Sequence, residues 1–397
     1  MSRRTRRSSL VSLTAVMVLT ATTGPLARQQ TVSDALSFLL TNRSIPTDDF
    51  IQDEQAAAAT RDTISDFLLV ELSTLPISSS AGGFTYRLDR SLGTMVLSSD
   101  SFGPFFVERS LTGGKRQLSF GLSYQHARYH EIDGRNLRDG TMVATASRAR
   151  GEPDAFDVET LVLQLDTDSV TVAGNFGVTD RFDVSVAIPL VRLTLSGQRI
   201  DNYRGREVVQ ATAAATASGV GDLVVRTKYN VLRRGASGVA VGSEIRLPTG
   251  NEQNLLGAGH AAIQPRVIAS LEGDRVAVHG NLGYSFRTPS NELDYGGAIT
   301  VAGIPRLTLV GEVLGRRLGS FGQLTETIAP HPRLVGIDTI RLTSVPQATN
   351  RVIAMAGLKW NVVGTLLLTA NVMRPLTDSG LNARWVPTVT FDYSFQR

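Results

Sequence analysis

Charged residues recur at every second position in several segments whose remaining positions are apolar. Asp222, Arg226 and Lys228 share one parity, and Glu244 and Arg246 share one parity in the following segment. Residues two apart in a β-strand point to the same face, so this spacing predicts strands with one charged and one apolar face. The residues predicted to face a lumen as a polar ladder are Asp222, Arg226, Lys228, Glu244, Arg246, Arg266, Arg287, Glu312 and Lys359.

Two roles fit such a ladder. Rings of ionisable side chains inside a barrel set the selectivity of a pore. The same residues could instead form a network of ion pairs that fills a narrow, closed barrel. The two roles do not exclude each other.

Patterns that indicate enzymes, metals or nucleotides are weak. The chain has five histidines, of which only His126 and His130 are close, and no acidic ligand pattern accompanies them. Paired glycines such as Gly219 and Gly221 lack the third glycine and the Lys-Ser/Thr of phosphate-binding loops. The sequence has no cysteine and no nucleophile motif. We predict no catalytic residue, no cofactor, no metal site and no enzyme activity.

Positive charge is concentrated at the amino terminus. The first seven residues contain Arg3, Arg4, Arg6 and Arg7. An apolar stretch, Leu10–Ala21, follows them, so residues 1–27 are predicted to be a cleavable signal peptide; an uncleaved anchor is the alternative. Removing this segment takes the net charge from +4 to about zero (4 − 4), which argues against nucleic acid as a partner.

Residues 31–76 have helical periodicity. A short amphipathic run covers 34–40, and Ile64, Phe67 and Leu68 lie at helical spacing in a longer run that Pro76 ends. We predict a helical N-terminal segment over residues 31–76, which either plugs a lumen or lies in the periplasm.

From Gly83 onward the period is two, as in Leu118, Phe120, Leu122 and Tyr124. The predicted strands are about 10–14 residues long, more than the usual 5–6 of soluble proteins and enough for a tilted strand to cross a bilayer. Short connections alternate with long ones, including 128–157 and 318–348, as in outer-membrane barrels. The sequence therefore predicts an all-β fold, an antiparallel transmembrane β-barrel, over residues 83–397.

Twelve strands are predicted. They lie near 115–127, 157–178, 181–199, 219–232, 237–247, 260–271, 275–287, 293–302, 305–318, 349–362, 364–374 and 384–396. A further pair at 83–89 and 94–99 would make fourteen. The apolar parity slips between Leu165 and Val170, and again between Leu190 and Val191, which we interpret as bulges or bends.

Four segments together carry a family resemblance. They are 177–190, 219–229, 244–250 and 257–259, with the sequences GVTDRFDVSVAIPL, GVGDLVVRTKY, EIRLPTG and GAG. This chain resembles, over roughly residues 115–397, the family of outer-membrane proteins named after the meta-pathway of phenol degradation. That family is grouped with outer-membrane transporters for hydrophobic and aromatic compounds. The resemblance implies a barrel and suggests uptake, and it assigns no catalytic residue.

The leading functional expectation is a channel in the outer membrane of a Gram-negative bacterium that passes small hydrophobic or aromatic molecules by passive diffusion. Its expected partners are outer-membrane lipid, small hydrophobic solutes and the barrel-assembly machinery. The barrel-assembly machinery would recognise the C-terminal strand by its alternating aromatic residues Phe391, Tyr393 and Phe395. One alternative is a structural or adhesive barrel that transports nothing and acts through its long outer loops. A second is a soluble secreted β-sandwich that binds a ligand.

Overall fold

The computed structural model describes residues 31–41, 50–73, 83, 85–89, 94–97, 101–286, 290–304, 306–331 and 334–395. The predicted signal peptide and Arg287 lie outside the described residues. Two helices come first, α1 (Val32–Leu40) and α2 (Phe50–Ser73). In the part of the chain that the structure describes, neither helix is both long and apolar enough to cross a membrane.

Twelve antiparallel strands close into a barrel. In spatial order they are β3 (Leu118–Ile132), β6 (Asp157–Gly177), β7 (Phe182–Tyr203), β9 (Leu223–Arg234), β10 (Ser237–Leu247), β11 (Ala262–Glu272), β12 (Val276–Ser285), β13 (Glu292–Ile304), β14 (Leu307–Pro330), β15 (Ile337–Val363), β16 (Leu366–Pro375) and β18 (Val386–Phe395). Strand β18 pairs back onto β3, from Thr388 opposite Gln125 to Phe395 opposite Leu118. The predicted transmembrane barrel of twelve strands is confirmed, and the soluble sandwich is wrong because a single sheet closes on itself.

Six further strands accompany the barrel. They are β1 (Tyr86–Asp89), β2 (Thr94–Leu97), β4 (Arg135–Asn136), β5 (Met142–Ala149), β8 (Arg206–Val220) and β17 (Leu381–Ala383). Strands β1 and β2 pair with each other in a separate sheet, so the alternative of fourteen barrel strands is wrong. The barrel therefore begins at β3, not at residue 83.

A belt of large apolar side chains surrounds the barrel. On β3 the outward residues Leu118, Phe120 and Tyr124 are 45–47% exposed, and most other barrel strands contribute similar residues. So large an apolar surface is unfavourable in water and suits contact with acyl chains. Near opposite ends of the barrel, Tyr284 and Phe286 have ring centroids 5.0 Å apart, and Tyr393 and Phe395 4.8 Å apart. Such aromatic pairs are typical of membrane interfaces.

Polar side chains mark the outer limit of this belt. The Tyr124 hydroxyl donates to Asp168 at 2.7 Å, and Arg128 lies 3.3 Å from Asp166. Both carboxylates are on outward positions of β6 that continue beyond the apolar ones. The wall above this limit is uneven, because β6, β7, β14 and β15 extend beyond it whereas β9–β13 end near it.

The outer part of the wall consists of strands where the sequence suggested loops. Strand β8 pairs with β7, and β5 joins β6 to the outer end of β15. The upper wall thus has the order β8-β7-β6-β5-β15-β14. The expectation of loops at 128–157 and 318–348 is wrong for most of their length, because these residues continue the sheet above the membrane.

The predicted bulges in β6 and β7 are also wrong. Strand β6 pairs with β3 and β7 without a shift in register, through both Leu165–Val170 and Leu190–Val191. Its ladder with β5 has a shift, but between Val143 and Thr145. Its inward face changes from polar at Thr167 and Ser169 to apolar at Leu163 and Leu165, all of which are buried. The parity of the apolar residues changes because the apolar face is outward in the membrane and inward above it.

The two helices explain the apolar interior of the upper wall. Helix α1 begins with a capping box between Thr31 and Asp34 and contacts β7 and β8. Its buried residues join the inward leucines of β6 and β7 and four alternate alanines of β8 in one core. A Cβ on Gly197 would lie 2.7 Å from the Val162 carbonyl oxygen of β6 and 2.8 Å from Leu39 of α1, so glycine here allows the close approach of the neighbouring strand and leaves room for the helix. Helix α2 contacts β14, β15 and β17, with Ile64, Phe67 and Leu68 buried.

The change of face gives a sharp prediction on β7. Ile188 and Thr194 both point outward, but Ile188 lies in the apolar belt and Thr194 lies above it, opposite Asp166. We expect Ile188→Arg to lower the free energy of unfolding by about 2–4 kcal/mol and Thr194→Arg by about 0–1 kcal/mol. Guanidinium titration of the protein in lipid vesicles measures both. Equal losses at the two positions would show that the limit of the membrane is misplaced.

Candidate functional site

An extended inner segment, residues 101–114, lies across the lumen before the chain enters β3. All its residues except Phe106 are buried. Its contacts run around the barrel, from Thr300 on β13 near Ser101 to Asp183 on β7 near Gly113. Such irregular backbone is tolerated at membrane depth only inside protein, where its polar groups find partners.

Glu312 and Lys359 hold the middle of the inner segment. The Glu312 carboxylate accepts hydrogen bonds from the backbone N–H groups of Phe105, Phe106 (3.1 Å) and Val107 (3.2 Å). The Lys359 ammonium donates to the carbonyls of Pro104 at 2.6 Å and Phe102 at 3.4 Å. Lys359 therefore satisfies carbonyl groups of the segment, and Glu312 satisfies the N–H groups that directly follow them.

A charged cluster on β9, β10 and β11 holds the following part of the segment. Glu108 of the inner segment lies 3.2 Å from Lys228 and 3.6 Å from Arg226. Glu244 lies 2.8 Å from both Arg226 and Arg266 and 3.2 Å from Arg246. We call Arg226, Lys228, Glu244, Arg246 and Arg266 with Glu108 the charged cluster. Two carboxylates facing four cations make it a basic region of the interior.

Asp222 has a different task. Its carboxylate accepts hydrogen bonds from the backbone N–H groups of Gly250 (3.1 Å) and Ala258 (2.8 Å). These residues belong to the long connection after β10, so Asp222 holds an outer loop in place. It lies on the same strand face as Arg226 but does not contact the inner segment through any hydrogen bond that we observe.

The predicted ladder thus separates into three groups. Glu312 and Lys359 bind the inner segment, five residues belong to or surround the charged cluster, and Asp222 binds a loop. Their burial and pairing agree with the interpretation as an ion-pair network, while a role in pore selectivity stays a prediction. Arg287 lies outside the described residues.

Sequence reasoning missed several interior charges. Glu108 and Arg109 lie in the inner segment, which has neither helical nor strand periodicity. Arg317 follows Arg316 and obscures the parity of charge, yet Arg316 lies 3.2 Å from Glu292 and 3.3 Å from Asp294. The sequence signal for these inward charges is their alternation with apolar residues, for Glu292 and Asp294 on β13 and for Arg316 on β14.

An apolar cavity of about 610 Å³, counting the part open to solvent, lies between the inner segment and the outer end of the barrel. Arg316 and Arg351 give it a basic edge. Arg351 donates to the Leu381 carbonyl at 2.8 Å. The cavity is lined by Phe106, Gln125, Ala127, Leu314, Arg316, Arg351, Ile353, Met355, Met373, Pro375, Ala383 and Val386.

A buried arginine that is paired with a wall carboxylate ties α1 to the upper wall. Arg199 on β7 is fully buried and pairs with Glu159 on β6. The same guanidinium donates to the Leu40 carbonyl at 2.6 Å. Leu40 ends α1, so a cation meets the negative end of the helix dipole.

Asp133 connects three outer elements beyond the membrane. It lies in the turn after β3 and accepts hydrogen bonds from the backbone N–H groups of Leu324 (2.9 Å) and Gly380 (2.8 Å). Burial raises the pKa of this carboxyl above its usual value, and the two donors oppose that shift. The connections around the outer end are therefore joined to one another.

The two neighbouring histidines face acidic residues. His126 lies 2.9 Å from Asp168, and His130 lies 3.7 Å from Glu131. Within the described ranges, no group of three or more histidine or acidic side chains is placed to hold a metal ion.

Glu312 gives a test of how the inner segment is held. Glu312→Leu removes the acceptor of three buried N–H groups, each of which costs about 1–3 kcal/mol when unsatisfied. We expect faster amide hydrogen exchange at residues 105–107 and a higher conductance in planar bilayers. Glu312→Gln keeps an acceptor oxygen and serves as the matched control, with a smaller effect on both. Unchanged exchange in Glu312→Leu would show that this carboxylate does not hold the segment.

Arg199 gives a second test, of the attachment of α1. Arg199→Met leaves Glu159 buried without its cation, which we expect to destabilise the contact by about 3–5 kcal/mol. Hydrogen exchange of the α1 amides should accelerate accordingly. The double variant Arg199→Met/Glu159→Met removes the stranded carboxylate and should recover much of the loss. A double variant as unstable as the single one would show that the loss does not come from the stranded Glu159 carboxylate.

Comparisons with known proteins were made on sequence and on structure. The sequence model of the family described as "MetA-pathway of phenol degradation" matches residues 139–303. The COG4313 outer membrane channel from Pseudomonas putida F1 is 14% identical, with 72% of this chain and 98% of that chain covered and a TM-score of 0.46. A FadL homologue from Pseudomonas aeruginosa is 11% identical, with 70% and 89% covered and a TM-score of 0.32. A comparison with curated proteins found no match. This chain is thus similar to the phenol-degradation family from the β4–β5 connection to β13.

Proposed function

We propose that this protein is an outer-membrane channel that passes small hydrophobic or aromatic molecules by passive diffusion. The observation that carries the proposal is the apolar cavity inside a closed barrel with a lipid-facing belt. A cavity enclosed by a membrane-spanning wall lies on the path from one side of the bilayer to the other. The family match to residues 139–303 supports an aromatic solute through the family's name alone.

The lining of the cavity favours aromatic compounds. Met355 and Met373 are adaptable thioethers that make favourable contacts with rings, and Phe106 offers an aromatic surface. The guanidinium groups of Arg316 and Arg351 can stack on a ring through cation–π attraction. Aliphatic solutes of similar size would gain from burial but not from these contacts.

Passage requires the inner segment to move or to leave room beside it. The segment fills the barrel next to the charged cluster, and its Phe106 forms part of the cavity lining. Its anchors are hydrogen bonds and ion pairs, which can exchange partners, whereas the barrel wall cannot open without breaking a strand ladder. We therefore assign the movable barrier to the inner segment.

The filled lumen also fits a structural barrel that transports nothing. Uptake into vesicles separates the two functions. With lipopolysaccharide in the outer leaflet, which slows the unaided passage of hydrophobic solutes, we expect the protein to accelerate uptake of toluene. Replacing Met355 and Met373 together by Trp fills the cavity and should abolish the acceleration. Met17 belongs to the predicted signal peptide and plays no part in this test. A protein that folds normally and accelerates no aromatic or fatty solute would favour the structural role.

A further inference from the structure

One sector of the lumen carries neutral polar residues in place of charges. Asn371 on β16 pairs with Thr388 on β18, Thr388 pairs with Gln125 on β3, and Gln125 pairs with Ser169 on β6. These four residues form one row across four neighbouring strands, which we call the polar row. All four are at most 7% exposed. The row lies on strands outside the charged cluster and itself contains only hydroxyl and amide groups, while the buried carboxyl of Asp392 lies two inward positions further along β18.

The polar row has unused hydrogen-bonding capacity. Gln125 Oε1, Asn371 Oδ1, Thr388 Oγ1 and Ser169 Oγ are buried, and none of these oxygens has a hydrogen-bond partner within the described part of the chain. Buried polar atoms in folded proteins are normally satisfied. A cluster of four such oxygens in adjacent positions indicates a site at which another molecule supplies the donors.

The polar row adjoins the apolar cavity. Met373 and Val386 line the cavity and pair with each other in the register next to Asn371 and Thr388 on the same inward face. Gln125 belongs to both the row and the cavity lining. Inward residues two apart on a strand are about 6.6 Å apart, so one small molecule can occupy the cavity and reach the row.

We propose that the polar row binds the hydroxyl end of an uncharged solute whose apolar body lies in the cavity. The amide oxygens of Gln125 and Asn371 accept hydrogen bonds, and the single O–H of a solute hydroxyl can donate to one of them. The hydroxyl group of Thr388, whose strand lies between those of the two amides, can donate to a lone pair of the same solute oxygen. Ser169 extends the row beyond Gln125 and lies too far along it to bond that oxygen. This inference rests on the proposed channel function and specifies its substrate class as apolar molecules that bear a hydroxyl group.

The test compares a matched pair of solutes, benzyl alcohol and toluene, in the vesicle assay. The measured quantity is the ratio of protein-dependent uptake rates of alcohol and hydrocarbon. Thr388→Val combined with Asn371→Leu should lower this ratio about fivefold, the effect of one hydrogen bond of ordinary strength. Toluene uptake should stay at or above the wild-type rate, which also shows that the variant is folded.

Two further variants control the result. Thr388→Ser retains the hydroxyl group and should retain the ratio. Thr339→Val removes a buried hydroxyl whose oxygen also has no partner among the described residues, but at the outer end of β15, away from the row. It should leave the ratio unchanged.

The outcomes distinguish the two proposals. An unchanged ratio in the Thr388→Val/Asn371→Leu variant, with normal toluene uptake, would overturn the role of the polar row and leave the channel intact. Faster uptake of benzoate than of benzyl alcohol would also overturn it, because the basic edge at Arg316 and Arg351 would then select an anion. Failure of the wild-type protein to accelerate either neutral solute would overturn the channel function and this inference together.

Discussion

The closure of β18 onto β3 is the constraint on which the rest of the molecule depends. In hydrocarbon a backbone N–H or C=O group has no water to bind, so a strand can cross only if both its edges are paired. The β18–β3 ladder removes the last two edges of a twelve-stranded sheet. Once the sheet is closed, its outer face contacts lipid and its inner face lines an enclosed lumen. The belt, the buried charges and the cavity all follow from that division.

Enclosure then decides how charge can be used. An ion inside the barrel loses most of its hydration, so it needs partners within reach. The chain meets this need with its own inner segment, whose Glu108 side chain and backbone groups face Lys228, Lys359 and Glu312. The interior charges therefore attach a segment, and the space they leave is bounded by thioether, aromatic, aliphatic and neutral polar groups with Arg316 and Arg351 at one edge. This arrangement separates attachment from the apolar path.

Much of the barrel was predictable from the sequence because a two-residue period is a direct consequence of strand geometry. The bounds of most membrane strands, such as 237–247 for β10, follow from it. The outer wall was not predictable by the same rule. On β8 the inward residues are alanines such as Ala213 and Ala215, which carry little β-signal but allow α1 to approach. On β6 the apolar face reverses after Leu165, which only the position of the helices explains.

The candidate site was predictable in part. The parity of charged residues predicts inward positions for Lys228, Glu244 and Lys359, because parity reports the face of a strand, and all three side chains are buried in the structure. It could not report what each side chain contacts, since the inner segment lies at no fixed spacing from them. The cavity was not predicted at all. Its lining comes from seven elements that are distant in sequence, and no local pattern contains that information.

The position of the inner segment also dictates an order of events in biogenesis. Residues 101–114 and both helices precede β3 in the chain, yet the later strands surround them. A finished cylinder would have to be threaded from one mouth to receive them. That threading is avoided if β3 and β18 pair only after the amino-terminal part has taken its place between the strands. Closure of the β3–β18 ladder also retains the enclosed polypeptide, which can then leave only through an open end of the barrel or by separation of those two strands.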